Sequence, residues 1–419
     1  MMHITTKHCN YSLDGFVLGG NWRNISMRNR WGFLLTLVAL TFITASRSKA
    51  DGVVKGHILV NVQTDGDIGA IDKDYDTTTA DHIIATGLYS INTPAKYTDD
   101  EFVKHLKSDP HVTFAEPDTY MVTPEVDGDP FHFPVDRSMA PANYFAQRAF
   151  TQVKVGDTLF KNIGAGVVIA VLDTGATFNH PALANHYIQG YNALCPANPP
   201  QDIPDGKNNN DTGHGTMIAG IIARLAPGAK IMPVRVLNGD GVGTVLSVAE
   251  GIDYAVSHGA NIINLSLGSI KPSQALSEAV EEANEAGVLI VCAAGNGGSS
   301  HPYYPAAYDG VLAVSSVDPL NRKSSFANYG SYISVVAPGN SIRSAYWNGG
   351  YATWSGTSFS VPFVCAEAAL IMAKYPLMNS DQVSEWIQNT SLNVNKNNPA
   401  YSDKLGEGII DIESAIADY

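Results

Sequence analysis

From residue 166 onward the sequence alternates wholly apolar runs with segments of helical period, and this alternation leaves few folds open. "VVIAVL" (167–172), "KIMPVRVL" (230–237), "NIINLSL" (261–267) and "VLIVCAA" (288–294) read as strands that are apolar on both faces. Between the later runs, "SVAEGIDYAVSHG" and "SQALSEAVEEANEAG" read as helices closed by Gly259 and Gly287. Strands buried on both faces and joined by helices predict an α/β fold, a parallel sheet covered by helices on both sides. In such sheets ligands gather beyond the carboxyl ends of the strands.

Residues 51–125 have a different rhythm and predict a small α+β domain. "HILVNV" and "GLYSI" read as strands, and Thr98 and Glu101 stand in capping-box spacing before a helix that stops at Pro110. "HVTFAEPD" follows as an alternating strand that puts Val112 and Phe114 on one face. "TPEVDGDPFHFPVD" is rich in Pro, Asp and Gly and reads as a linker, assigned to 126–145, with the larger domain over 146–419. Ahead of the small domain, Arg28 and Arg30 precede the apolar run Trp31–Thr44, and "ASRSKA" ends in the small residue Ala50. Residues 27–50 therefore read as a secretory signal, too short for a comfortable membrane span, which makes 1–26 an upstream extension. Secretion to an extracellular or periplasmic space follows.

The net charge of −14 disfavours a nucleic-acid partner. Of the four cysteines, Cys292 and Cys365 lie in apolar segments and read as buried thiols. If Cys9 is lost with the leader, three remain, Cys195, Cys292 and Cys365, and three cannot all pair within one chain.

Several chemically capable residues stand at strand or helix ends. Asp173 follows Leu172, Asn296 follows "VLIVCAAG", His214 lies between glycines before an apolar helix, and Ser358 opens another helix. Singly, each is more often a turn, loop or cap residue. Together they supply a nucleophile, a base, a carboxylate to orient the base, and an amide donor for an oxyanion; a serine hydroxyl needs such partners. "GDGVG" and "GNGGSS" complete no phosphate-loop motif, and His180, His186 and His214 lack a metal-binding spacing.

The order Asp…His…Ser, with "VLDTG", "GHGT", "AAGN" and "GTS" followed by Pro362, resembles the subtilisin-like serine proteases, or subtilases. The resemblance covers roughly 145–419, including "GEGIIDIESAI" as the terminal strand and helix, and more loosely extends to 51–125 as an inhibitory propeptide. It implies a self-processing serine endopeptidase, a monomer acting on polypeptides, cut between Met121 and Asp129. In that reading Asp173 orients His214, Ser358 attacks, and Asn296 assists the oxyanion. Substrate backbone pairs between Gly241-Val242-Gly243 and Ser266-Leu267-Gly268, in β-augmentation. The side chain before the scissile bond sits among Ala293, Ala294 and Gly295, above Tyr303, whose bulk implies a smaller preferred side chain.

The sequence also departs from the family. Phe359 replaces the usual methionine beside the serine and is expected to narrow the leaving-group side; Met217 and Phe363 replace histidines. "IIARLAPGAKIMPV" lacks the loop that carries a tight calcium site, so no cofactor is required by this reading. Asp202, Asp205 and Asp211 stand in an Asn-rich loop that could bind calcium, but they read as a solvated acidic loop rather than a calcium site. The rival function is a catalytically silent relative that binds peptides without cutting them.

Overall fold

The structure is a computed structural model that describes residues 52–417, apart from residues 65, 128–133, 140, 142 and 157–163. The extension expected over 1–26, the signal expected over 27–50 and Cys9 lie outside the described residues.

The N-terminal unit is an antiparallel sheet whose strand Val53–Val62 is flanked by Leu88–Asn92 and Val112–Val122, with Thr79–Ile83 at the edge. Alternation along the first strand sorts its side chains. Ile58 and Val60 pack with Ile71, Phe102 and Leu106 of the unit's own two helices, whereas Leu59 faces the larger domain. The capping box forms as its spacing predicts: Thr98 Oγ1 accepts from the Glu101 N–H, and the Glu101 carboxylate accepts from the Thr98 N–H. Val112 and Phe114 do not share a face. A register shift between Asn61 and Val62 interrupts the ladder, so Val112 packs with the small unit's core and Phe114 with the larger domain.

The larger domain holds a seven-stranded sheet in the order Val335–Pro338, Val311–Val317, Leu289–Ala293, Ile262–Leu265, Val168–Asp173, Lys230–Arg235, Tyr191–Asn192. Each neighbouring pair is parallel. Ile169 and Val171 pack with the helices His214–Leu225 and Val361–Lys374; Ala170 and Leu172 pack with Val245–Ser257 and Gln274–Glu285. Both faces are therefore covered, which explains strands without a polar side. Among the described residues one helical stretch, Thr357–Lys374, is long and apolar enough to cross a bilayer, and it lies 83% buried in the core.

The stretch read as a linker is partly structured. Thr123–Val126 is held against the larger domain, Pro124–Asp127 forms a helical turn, and Val135–Ser138 pairs with Tyr351–Trp354 in a three-stranded sheet. Tyr144 is buried and donates to the Gly220 carbonyl. Composition signals turns here, and the turns are packed ones.

Candidate active site

Asp173 is the last residue of a central strand, and His214 begins the helix whose left-handed N-terminal residue is Gly213 (φ 100°). Both side chains are fully buried, and His214 Nδ1 lies 2.8 and 2.9 Å from the two Asp173 oxygens. Asp173 Oδ1 also accepts from the Thr174 N–H, which fixes the carboxylate. Ser358 sits in the 3₁₀ turn Thr357–Phe359, immediately before the helix that Pro362 helps to open. Asn296 is turned toward it by Thr357, whose N–H and hydroxyl both donate to Asn296 Oδ1 (2.9 and 2.8 Å), leaving the Asn296 amide nitrogen free to donate.

Ser358 does not donate to His214. Its hydroxyl donates to Oε2 of Glu125, at 2.7 Å, and Oε1 of the same carboxylate accepts from Asn296 Nδ2 at 3.1 Å. His214 Nε2 lies 3.3 Å from Glu125 Oε2, an ion-pair contact without hydrogen-bond alignment. Glu125 carries no sequence signal, because it stands at the end of the small domain in a Pro- and Asp-rich stretch and belongs to no motif. Gly356 admits it: a Cβ there would fall 1.7 Å from Glu125 Oε1.

Burial alone would push the His214 pKa down. The buried Asp173 carboxylate beside Nδ1, together with Glu125 beyond Nε2, outweighs this and raises it well above the ordinary imidazole value. The two carboxylates thereby favour the charged form of the imidazole.

The segment before Glu125 lies between the two stretches singled out in the sequence. Tyr120, Met121 and Val122 pair antiparallel with Thr244, Gly243 and Val242. On the other side Val122 exchanges hydrogen bonds with Gly268 (3.0 and 2.8 Å), and the Thr123 N–H donates to the Gly241 carbonyl. Ser266 supports Ser358 rather than this pairing, its hydroxyl donating to the Ser358 carbonyl, and Leu267 points into the core. Ala293 and Ala294 are buried at the end of their strand.

Tyr303 is 2% exposed and its ring lies between the cleft walls: a Cβ on Gly268 would meet Tyr303 Cε1 at 2.4 Å, and one on Gly295 would meet Cγ at 3.0 Å. Phe359 does not line the cleft. It is fully buried and packs its ring 5.3 Å from that of His214 and 5.4 Å from that of Trp354, so it supports the imidazole.

The acidic loop is not simply solvated. Asp202 and Asp211 are buried; Asp202 accepts from the Gly213 N–H and from both the N–H and hydroxyl of Thr216, and Asp205 pairs with Arg235. Burial pushes the Asp202 carboxyl up to about 7 and Asp211 up to about 8, against the lowering effects of the Thr216 bond and of His214 respectively. Among the described residues no group of three or more His, Cys, Asp or Glu could hold a metal ion. His180 is a satisfied structural residue, with Nε2 on the Gly350 carbonyl and Nδ1 accepting from the Ala182 N–H. Cys292 and Cys365 are buried free thiols.

Comparison with known proteins decides the family. The pattern described as "Subtilase family" matches residues 164–408, more than half of the chain. The chain is a subtilase. Residues 43–118 match the "Fervidolysin N-terminal prodomain", so the antiparallel N-terminal unit is a subtilase prodomain. The chain is 38% identical over 261 residues to Subtilisin BL from Lederbergia lenta, covering 60% of this chain and 91% of that protein. It is 35% identical over 324 residues to an alkaline protease from Alkalihalobacillus alcalophilus, covering 75% and 77%. Among solved structures, fervidolysin from Fervidobacterium pennivorans, described as a keratinolytic enzyme related to subtilisin, aligns with a TM-score of 0.72 and 25% identity. That alignment covers 88% of this subtilase and 61% of the fervidolysin chain. Family membership gives the class of chemistry, serine-type endopeptidase, carried on the subtilisin-like fold.

Proposed function

We propose that this subtilase is a secreted endopeptidase made as an inactive precursor, with Asp173, His214 and Ser358 as its catalytic triad and Asn296 as an oxyanion donor. The observation that carries the reading is the course of the chain's own backbone: residues 120–123 run between Val242–Thr244 and Gly268 and lead to Ser358. A substrate taking that course gains main-chain hydrogen bonds on both edges, with Gly241, Val242, Gly243 and Gly268 as its partners. Ser266 and Leu267 act in shaping that edge.

In the cleared site His214 Nε2 takes the Ser358 proton as Oγ attacks the scissile carbonyl carbon. Asp173 keeps Nδ1 protonated and stabilises the imidazolium, and Asn296 Nδ2 donates to the oxygen as it gains charge. His214 then gives its proton to the departing amine, and water releases the acyl group by the same steps in reverse. Because His214 must be neutral to begin, activity rises through its titration to a neutral or mildly alkaline plateau.

The residue before the scissile bond is small. Tyr303 fills the space between Gly268 and Gly295 where a larger side chain would otherwise extend beside Ala293 and Ala294. The enzyme acts as a monomer and needs no metal for the reaction, so a chelator leaves its turnover unchanged.

A serine-reactive phosphonate tests the reading. Label on Ser358 of folded, processed protein, abolished by His214→Ala, is the expected result. Folded, processed protein that takes no label would instead be a silent peptide-binding relative.

A further inference from the structure

We propose that the cradle of Ser358, Asn296 and His214 is also a receptor for a side-chain carboxylate, and that Glu125 is the resident ligand holding the precursor latent. This rests on the protease reading above and adds to it the means by which the uncut chain is kept silent.

The Glu125 side chain is 1% exposed, a carboxylate taken out of water, which is tolerated only where donors surround it. Here the donors are the groups that catalysis needs. Oε2 takes the Ser358 hydroxyl proton in a hydrogen bond, Oε1 takes the Asn296 amide, and His214 faces Oε2 from the third side. A nucleophile that donates to a carboxylate is not donating to its base. The oxyanion donor is occupied by a side-chain oxygen, and the base is enclosed between the carboxylates of Asp173 and Glu125, which favour its charged form.

The backbone explains how a side chain, rather than a peptide carbonyl, arrives there. Pairing with Gly268 and Gly241 holds the chain extended through Thr123. The turn Pro124–Asp127, closed by the Val126 N–H on the Thr123 carbonyl, then ends the extended run. Pro124 has no N–H to continue the ladder, and its ring favours the first turn of a helix. The turn carries Glu125 beneath Gly356, whose missing Cβ leaves the space that Oε1 occupies. The ligand class is therefore an extended peptide with an acid three residues past the one paired with Gly268.

The test uses the full-length precursor and its Glu125→Gln and Glu125→Ala variants. Glu125→Gln keeps the shape and removes the charge, so folding is preserved even if Glu125→Ala disturbs the turn. The readouts are the first-order rate of Ser358 labelling by a fluorophosphonate and the rate of self-processing on gels. Loss of a hydrogen-bonded charge should speed labelling of Glu125→Gln by about 10–100-fold, and processing should quicken in step. Variants labelled at the wild-type rate or more slowly would overturn the proposal while leaving the protease reading intact. If no form is labelled, even after the prodomain is trimmed away by added trypsin, the protease reading falls and the latch with it.

Discussion

At the scale of single residues, the side chains that meet at the cleft were legible because each ends a recognisable element. A strand of two-sided apolar character delivers Asp173, and turn glycines announce His214 and the Asn296 loop. Glu125 was illegible for the opposite reason: Pro, Asp and Gly around it signal only a turn, and its position under Gly356 is a product of tertiary packing. Thr357 was half legible. It lies inside "GTS", but only the fold brings it within two hydrogen bonds of Asn296. Replacing Asn296 with Ala should lower kcat by on the order of 10²–10³, the loss seen for such a donor in a subtilisin, with KM for a peptide ester little changed. Tyr303→Gly should open the pocket between Gly268 and Gly295, moving preference toward large apolar side chains by about 10–200-fold in kcat/KM. Unchanged ranking in a peptide-library cleavage profile would place specificity elsewhere.

At the scale of elements, the parallel strands and their covering helices were read directly from periodicity. The failures came where an irregularity resets the alternation, as between Val112 and Phe114, or where a segment folds only because another is waiting for it, as Val135–Ser138 does against Tyr351–Trp354. The helix Val361–Lys374 carries an oddity of its own. Glu367 is fully buried in it with neither oxygen hydrogen-bonded, and burial, reinforced by Asp411, raises its pKa well above the usual carboxylate value. With a folded-state pKa above the unfolded one, the neutral form is favoured, and the stability this group permits is lost as pH rises through the folded value. Glu367→Met fills similar volume without a polar group to bury. It should raise stability by about 1–3 kcal/mol at neutral pH, and by less in acid, in a denaturant titration. A fall in the unfolding midpoint would mean that Glu367 has a partner the packing conceals.

At the scale of the whole molecule, the prodomain is joined to the enzyme through its sheet and through two acids. The Glu116 carboxylate accepts from Ser273 Oγ and from the Gln274 and Ala275 N–H groups, at the start of the helix Gln274–Glu285. The buried Asp118 carboxylate meets the Leu246 N–H at the start of Val245–Ser257. Negative charge at a helix N-terminus is favourable, yet burial pushes Asp118 up to about 7, only partly offset by Thr244 and Leu246, with Glu116 adding repulsion. The docked acid thus binds a proton more tightly than the free one. The contribution of Asp118 to docking should therefore be fully present below about pH 4 and weaken by up to about tenfold per unit as pH rises toward 7. Inhibition by released prodomain should accordingly weaken between pH 5 and pH 8, and Asp118→Asn should flatten that slope; an equal slope in the variant would exclude Asp118 as its source. Removing the prodomain also bares Val242–Thr244, which pairs with it as the last strand of the five-stranded sheet. A vacated ladder edge can recruit unfolded polypeptide that drifts past, partly unfolded copies of the same enzyme included. Dense cultures of such an enzyme would then thin their own stock, the half-folded first.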